Sequence, residues 1–189
     1  MTTMIFPTLE TDRLILREWK ESDLNDLYEI FRHDSVLQYT GSYCFKTVDD
    51  ALKKIEAYKS YIEKELGLSW AVVEKETNTA IGSIDYTYLK KHYRVELGCC
   101  FTPSASGQGF GFESMEEIIR YSFEDFQLFK IHRLEAGTDP RNRSAKKLLE
   151  KLGFKDEALL RDYYFERGKF VDQHIFGLLR EEWEKKTSN

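Results

Sequence analysis

The sequence predicts an α/β fold of the α+β kind, with helices on both faces of a mixed, largely antiparallel central sheet of six to seven strands. Strand-like and helix-like segments follow one another in the order β-α-α-β-β-β-α-β-α-β-β. Short turns join neighbouring strands in the middle of the chain, which favours antiparallel pairing. One strand-helix-strand unit, from Tyr93 to Ala136, predicts a right-handed parallel crossover. Because no linker or repeat divides the chain, we expect a single domain over residues 1–189, with its core at about 8–183.

The N-terminal part is predicted to contain one strand followed by two helices. Residues 13–19 alternate in the manner of a strand. Ser22 and Asp23 offer an N-cap for the first helix, and Thr47 offers one for the second, longer helix. Apolar residues recur at three and four positions along both. We expect Gly67 to end the second helix.

The rest of the chain is predicted to be mostly strands. Two helices interrupt them, one after a glycine-bearing loop and one that begins near Asn142 and is stopped by Gly153. We expect the tail after Trp183 to fray. The predicted strands cover residues 69–73, 80–89, 93–101, 131–136, 159–165 and 170–179.

Composition and charge exclude several classes of protein. Hydrophobic residues make up 41% of the chain, which is enough for a packed core, and no apolar run is long enough to cross a membrane. The 28 Lys and Arg against 33 Asp and Glu give a net charge of −5, which disfavours nucleic acid and suits a cationic partner. The three cysteines form no disulfide framework, and the absence of a visible secretory signal agrees with a cytoplasmic location. The four scattered histidines predict no metal site.

A glycine-rich stretch, Ser106-Gly107-Gln108-Gly109-Phe110-Gly111-Phe112-Glu113, lies between a predicted strand and a predicted helix. Glycines allow close approach of the backbone, and a helix N-terminus adds partial positive charge, so the stretch predicts a phosphate or pyrophosphate cradle. It lacks the Gly-Lys-Ser/Thr of a Walker A loop and the third glycine of a dinucleotide fingerprint. The alternative is a plain loop with glycine turns.

A second stretch runs from Asp139 to Phe154 and by itself reads as an ordinary helix with an Asn or Ser N-cap. In order and context, the two stretches together resemble the GNAT superfamily of acyl-CoA-dependent N-acyltransferases, and most of all its RimJ/RimL-type branch. The resemblance extends over nearly the whole chain. Its further motifs are Thr11-Asp12-Arg13-Leu14-Ile15-Leu16-Arg17, Glu96-Leu97-Gly98, Leu149-Glu150-Lys151-Leu152-Gly153-Phe154 and Leu178-Leu179-Arg180-Glu181-Glu182-Trp183.

This resemblance implies a GNAT domain that moves an acetyl group from acetyl-CoA to a primary amine, on a protein N-terminus or a small molecule, by direct attack. It implies a monomer or homodimer and no metal. The glycine-rich stretch would hold the CoA pyrophosphate, and the strand from Gly98 to Phe101 would pair with the pantetheine arm. The cofactor-binding residues expected on this basis are Cys99, Cys100, Phe101, Gln108, Gly109, Phe110, Gly111, Phe112, Glu113 and Asn142.

Glu96 is the candidate general base, because a carboxylate in a central strand is costly to bury and burial raises its pKa toward a useful range. The alternative for Glu96 is a salt bridge, with Arg94 or with a lysine across the sheet. Ser144 is a candidate acid for the leaving thiolate, with Tyr163, Tyr164 or no protein acid as alternatives. Leu149 occupies the place where many GNAT enzymes have a tyrosine acid, and Ser106 and Ser144 also depart from the usual pattern. A catalytically inactive CoA-binding module therefore remains a second hypothesis.

Overall fold

The computed structural model describes residues 6–188, in which eight strands form one sheet in the order β1-β2-β3-β4-β5-β6-β8-β7. The strands are β1 Leu9–Glu10, β2 Leu14–Glu18, β3 Gly67–Glu74, β4 Thr79–Leu89, β5 Arg94–Phe101, β6 Arg133–Thr138, β7 Lys155–Glu166 and β8 Lys169–Leu179. The helices are α1 Leu24–Phe31, α2 Asp34–Leu37, α3 Val48–Glu63, α4 Phe110–Glu124, α5 Arg143–Leu152 and α6 Arg180–Thr187.

The sheet is mixed and largely antiparallel, which confirms the predicted fold class. Every neighbouring pair is antiparallel except β5 and β6, which are parallel and joined through α4. The sheet has one more strand than the sequence predicted, because the two-residue β1 pairs with β2 and was too short to show a pattern.

Alternation along β3 divides the core between the two faces of the sheet. Leu68, Trp70 and Val72 pack in a cluster with residues of α4 and α5. Ala71 and Val73 pack in a second cluster with residues of α1 and α3. Because successive side chains of a strand point to opposite faces, helices are needed on both sides to cover them.

One predicted helix end and the predicted fraying of the tail were wrong. Helix α3 ends at Glu63, and Gly67 instead begins β3, where an added Cβ would lie 2.1 Å from the carbonyl oxygen of Tyr86. The residue is therefore glycine because β4 passes close by. The tail after Trp183 is helical in α6, because Trp183 packs on Phe123 with ring centroids 5.4 Å apart.

Two strand boundaries also differ. Strand β7 begins at Lys155 rather than Leu159, because its pairing with β8 extends over a polar segment that shows no apolar alternation. Strand β6 is shifted two residues toward the C-terminus relative to the prediction. The short helix α2 was not predicted.

The feature of the sheet that positions the candidate site is the separation of β5 from β6. Arg94–Glu96 pair with Arg133–Glu135, and no pairing continues beyond Glu96. Strand β5 keeps its pairing with β4 up to Phe101. The residues of β5 after Glu96 therefore present one backbone edge to a gap in the sheet.

Candidate active site

A pocket of about 520 Å³ lies where β5 and β6 separate, and we refer to it as the β5–β6 pocket. Of the residues predicted from the sequence, Glu96, Cys99, Cys100, Asn142 and Tyr164 line it. Ser144, Tyr163, Phe101 and residues 108–113 are not part of its lining. An added Cβ at Gly98 would meet nothing within 4 Å, so the β5 backbone there is open to a ligand.

Glu96 enters this pocket without a partner. Among residues 6–188 its carboxylate makes no ion pair and no hydrogen bond, because the neighbouring Arg94 donates instead to Glu135 at 3.2 Å. The salt-bridge alternative for Glu96 is thus not formed. Glu96 keeps part of its surface exposed to solvent. Partial burial first, and then the negative charge of Glu135 on the adjacent strand, raise the pKa of Glu96, while Arg94 opposes the shift. A carboxylate in this state can accept a proton from a bound amine.

The glycine-rich loop forms a cradle of backbone amides at the start of α4. Gly107 and Gly109 have φ values of +77° and +84°, which glycine adopts without strain. The amide of Glu113 donates to the Gly109 carbonyl at 3.0 Å, which is the first i to i−4 hydrogen bond of α4. The amides of Phe110, Gly111 and Phe112 precede it and lack intrahelical acceptors, so they are free to bind an anion.

Arg13 and Glu113 tie this loop to β2. The Glu113 carboxylate accepts hydrogen bonds from Thr11 Oγ1 at 2.5 Å and from Arg13 Nε at 2.7 Å. Arg13 Nη1 also donates to the Gln108 carbonyl at 3.1 Å, and its guanidinium lies 4.4 Å from the Phe110 ring centroid. Burial alone would raise the pKa of Glu113, but the bonds from Thr11 and Arg13 outweigh it and lower that pKa. The Glu113 side chain therefore holds the loop in place.

Sequence reasoning missed Arg13 as a residue of the site. A Cβ at Gly109 would lie 3.5 Å from Arg13 Nη2, so this partly exposed cation stands beside the cradle. Arg13 is part of the Thr11-Asp12-Arg13 motif, which indicated the family. The motif did not indicate that Arg13 contacts Gln108, which lies 95 residues away in sequence.

The N-terminus of α5 borders the pocket through Asn142. Its Oδ1 accepts the Ala145 amide at 3.1 Å and the Ser144 hydroxyl at 3.3 Å. Asn142 is therefore the N-cap, as one of the sequence alternatives predicted. Ser144 is exposed, and its hydroxyl faces the capping oxygen.

Tyr164, one of the other candidate acids, and the two cysteines are protonated at neutral pH. Burial and then the Glu96 charge raise the pKa of Tyr164, which lines the pocket. Burial, followed by the charge of Asp85, raises the pKa of Cys99 to about 11, and burial raises that of Cys100 to about 12. A thiol that stays protonated is a poor nucleophile, which agrees with a packing role for both cysteines.

The charged residues in the remainder of the pocket wall are mostly acidic. Asp85, Asp139, Glu166 and Asp172 line it together with one lysine, Lys54. Asp139 is neutralised by the guanidinium of Arg141, and Asp85 accepts the Ser69 hydroxyl at 2.8 Å. The remaining excess of negative charge favours a cationic ligand.

Similarity to known proteins identifies the family of this chain. A family model described as an acetyltransferase (GNAT) domain matches residues 13–155. The chain is 30% identical over 177 residues to the uncharacterized N-acetyltransferase YoaA of Bacillus subtilis (strain 168), covering 93% of this chain and 98% of that protein. The chain therefore belongs to the GNAT family of acetyltransferases, acetyl-CoA-dependent enzymes whose general reaction is acetyl transfer to amines. The resemblance stated from the sequence is confirmed.

The solved structures that share this fold include two acetyltransferases. The ribosomal-protein-S5-alanine acetyltransferase of Vibrio fischeri has a TM-score of 0.80 at 20% identity, covering 94% of this chain and 98% of that one. The spermidine N-acetyltransferase of Vibrio cholerae, solved in complex with CoA and spermine, has a TM-score of 0.78 at 20% identity, covering 92% and 99%. At these identities the likeness shows the fold.

Three further observations concern the part of the chain that the structure describes. None of its helices has the length and apolar character required to cross a membrane. Within residues 6–188, no group of three or more His, Cys, Asp or Glu is placed to hold a metal ion. Cys44, Cys99 and Cys100 are free.

Proposed function

We propose that this chain acetylates a primary amine, on a protein N-terminus or a small molecule, with Glu96 as the general base. The observation that supports this most strongly is the unpartnered Glu96 carboxylate in the β5–β6 pocket, with its raised pKa. An amine arrives largely protonated at neutral pH and must lose a proton before it attacks. Glu96 takes that proton, directly or through a water molecule.

For the acetyl-CoA cosubstrate, we propose that the amides of Gln108–Phe112 bind the pyrophosphate, with Arg13 beside them. The Glu113 side chain is occupied by Thr11 and Arg13 and serves this binding indirectly. The backbone of Gly98–Phe101 borders the gap beside β6 and suits an extended arm that pairs with a strand edge. Asn142 and the two cysteines of β5 line the same pocket. Holding both reactants in this way lowers the barrier because their relative freedom is lost on binding.

In the proposed reaction the amine nitrogen attacks the thioester carbonyl carbon directly. A β5 backbone amide stabilises the oxyanion, and as the intermediate collapses the nitrogen gives its second proton to water and the CoA thiolate leaves. We assign its protonation to Tyr164, which lines the pocket and carries its proton at neutral pH, in preference to Ser144, whose hydroxyl lies outside the lining. We further propose a single domain over residues 1–189 and a cytoplasmic location, which the three free cysteines support.

The test is to mix the protein with acetyl-CoA and a panel of primary amines, including a peptide with a free N-terminus. Free thiol and the mass of the acetylated amine are measured. We expect release with at least one amine, loss of that release in Glu96→Gln, and no loss in Glu116→Gln, which changes an exposed carboxylate of α4. Binding of acetyl-CoA with no thiol release from any amine would instead favour the inactive CoA-binding module.

A further inference from the structure

The turn between β7 and β8 contacts a segment more than 120 residues away in sequence. Arg167, in this turn, donates from Nη1 to Asp34 Oδ1 at 2.7 Å. Its Nη2 donates to the carbonyl oxygens of Leu37 at 3.2 Å and Ser42 at 2.9 Å. One guanidinium thus connects the hairpin turn to α2 and to the loop that follows α2.

This loop, residues 38–44, forms part of the pocket wall. Tyr39, Thr40 and Ser42 line the pocket, as does Glu166 immediately before Arg167. Gly41 has a φ of +67°, and an added Cβ there would lie 2.5 Å from Glu166 Oε1. The loop and the turn are therefore in close contact where they enclose the pocket.

The two ends of the loop have their own attachments. Its N-terminal end continues from α2, and just beyond its C-terminal end the Phe45 amide donates to the Phe31 carbonyl at 3.0 Å. The Phe31 and Phe45 rings also stack, with centroids 5.2 Å apart. Between these attachments, Arg167 joins the loop to the hairpin through the Ser42 carbonyl.

We propose that Arg167 is a positioning residue for the acceptor amine: it holds the 38–44 loop against the β7–β8 turn so that the two form one end of the pocket before the acceptor binds. This inference rests on the proposed function. The lining residues that we propose for CoA lie on β5 and at the start of α5, whereas Tyr39, Thr40, Ser42 and Glu166 lie in another part of the wall, beside lining residues of β4, β6 and β8. Loss of the Arg167 contacts therefore acts on the acceptor and leaves the cosubstrate site intact. A preformed wall reduces the ordering cost that the acceptor would otherwise meet on binding.

The test compares KM values for the acceptor and for acetyl-CoA in Arg167→Ala. We expect the acceptor KM to rise by about tenfold or more, on the scale of lost charge-assisted hydrogen bonds, with the acetyl-CoA KM and the dissociation constant for acetyl-CoA unchanged. Asp34→Asn, which alters an exposed partner and spares Arg167, should shift the acceptor KM in the same direction but less. Arg167→Lys should recover part of the loss. Arg161→Ala, an exposed arginine of β7, is the matched control and should change neither KM.

A second readout does not depend on turnover. Hydrogen exchange of the 38–44 amides should become faster in Arg167→Ala and stay unchanged in Arg161→Ala. Unchanged exchange, an unchanged acceptor KM, or equal changes in both KM values would each overturn the inference. If the wild type acetylates no amine while exchange still depends on Arg167, the proposed function fails and the role of Arg167 in holding the loop stands.

Discussion

At the scale of single residues, the proposed base Glu96 has an environment that opposes stability. A carboxyl whose pKa is higher in the folded chain than in the unfolded chain contributes stability below its unfolded-state pKa. That contribution is lost as the pH rises through the raised pKa. Burial and Glu135 raise the pKa of Glu96, so its ionised form disfavours the folded state at neutral pH. The same absence of a partner leaves the carboxylate available to a substrate.

Glu96→Gln should therefore lose activity without losing stability. We expect turnover at pH 7 to fall about 10²–10⁴-fold, as for loss of a general base, with little change in affinity for acetyl-CoA. The free energy of unfolding at pH 7 should be equal to or above that of the wild type. Steady-state kinetics and denaturant unfolding measure both. The kinetic defect should shrink at high pH, where the amine loses its proton unaided, and normal turnover at neutral pH would exclude Glu96 as the base.

The leaving group provides a second comparison between residues. Tyr164→Phe should lower turnover more than Ser144→Ala, for which we expect a loss of less than about tenfold, or about 1.4 kcal/mol in the barrier. Because Asn142 supplies the capping oxygen, Ser144→Ala should also cost less stability than the roughly 1 kcal/mol typical of a lost N-cap. Steady-state kinetics and thermal unfolding of both variants measure these changes in turnover and stability. A hundredfold loss in Ser144→Ala with normal turnover in Tyr164→Phe would identify Ser144 as the acid.

At the scale of elements, the glycine-rich loop depends on both its backbone and its attachment to β2. Gly109 combines a positive φ with a location at the N-cap of α4, and Arg13 holds the Gln108 carbonyl and the Glu113 carboxylate on either side of it. An anion bound here would meet helix amides and a cation together. For anion binding, the charge at this position of the loop therefore matters more than the space available to a side chain.

Gly109→Asp should abolish binding of CoA, whereas Gly109→Ala should only weaken it. Both variants place a Cβ at φ +84°. The backbone strain there is about 1–2 kcal/mol for alanine and smaller for aspartate, so a weaker CoA affinity of the aspartate variant reports its charged side chain and not the strain. Calorimetric titration with CoA gives the affinities, and circular dichroism checks that both variants fold. Equal CoA affinities in the two variants would show that the pyrophosphate does not bind at this loop.

At the scale of the whole molecule, charged groups attach elements to one another. The Arg17–Asp23 pair joins β2 to the turn before α1, with a contact of 2.6 Å and little exposure of either side chain. Burial by itself would raise the pKa of Asp23, but the hydrogen bonds from Arg17 and the Lys20 amide outweigh it and lower that pKa. Such a group contributes stability above its unfolded-state pKa, and the contribution is lost as the pH falls through the lowered value.

Asp23→Asn should accordingly destabilise the protein at pH 7 by on the order of 3 kcal/mol, because a buried charge pair loses one partner. The difference from the wild type should begin to shrink below about pH 4, the unfolded-state pKa of Asp, and should shrink further as the pH falls through the lowered pKa at which Asp23 becomes protonated in the folded chain. Denaturant unfolding at pH 7 and under acidic conditions measures this. A stability difference that is independent of pH would show that the Asp23 charge contributes nothing.

Much of the fold and part of the site could be predicted because local patterns carry them. Apolar periodicity, the Thr47 and Asn142 caps, and the glycines at 107, 109 and 153 depend on residues within a few positions of one another. These local patterns predicted the main strands and helices. They also predicted that the glycine-rich stretch lies at the start of α4. The motif resemblance then indicated the acetyltransferase family, which the comparisons confirmed.

The tertiary structure decided which partner each charged group has, because such contacts depend on distances between elements far apart in sequence. It placed β8 between β6 and β7, and it separated β5 from β6 after Glu96. Arg94 pairs with Glu135 and leaves Glu96 open to the pocket, while Glu113 is occupied by Arg13. No periodicity or spacing in the sequence contains these choices, since each carboxylate had several cations available and only folding brought one within reach.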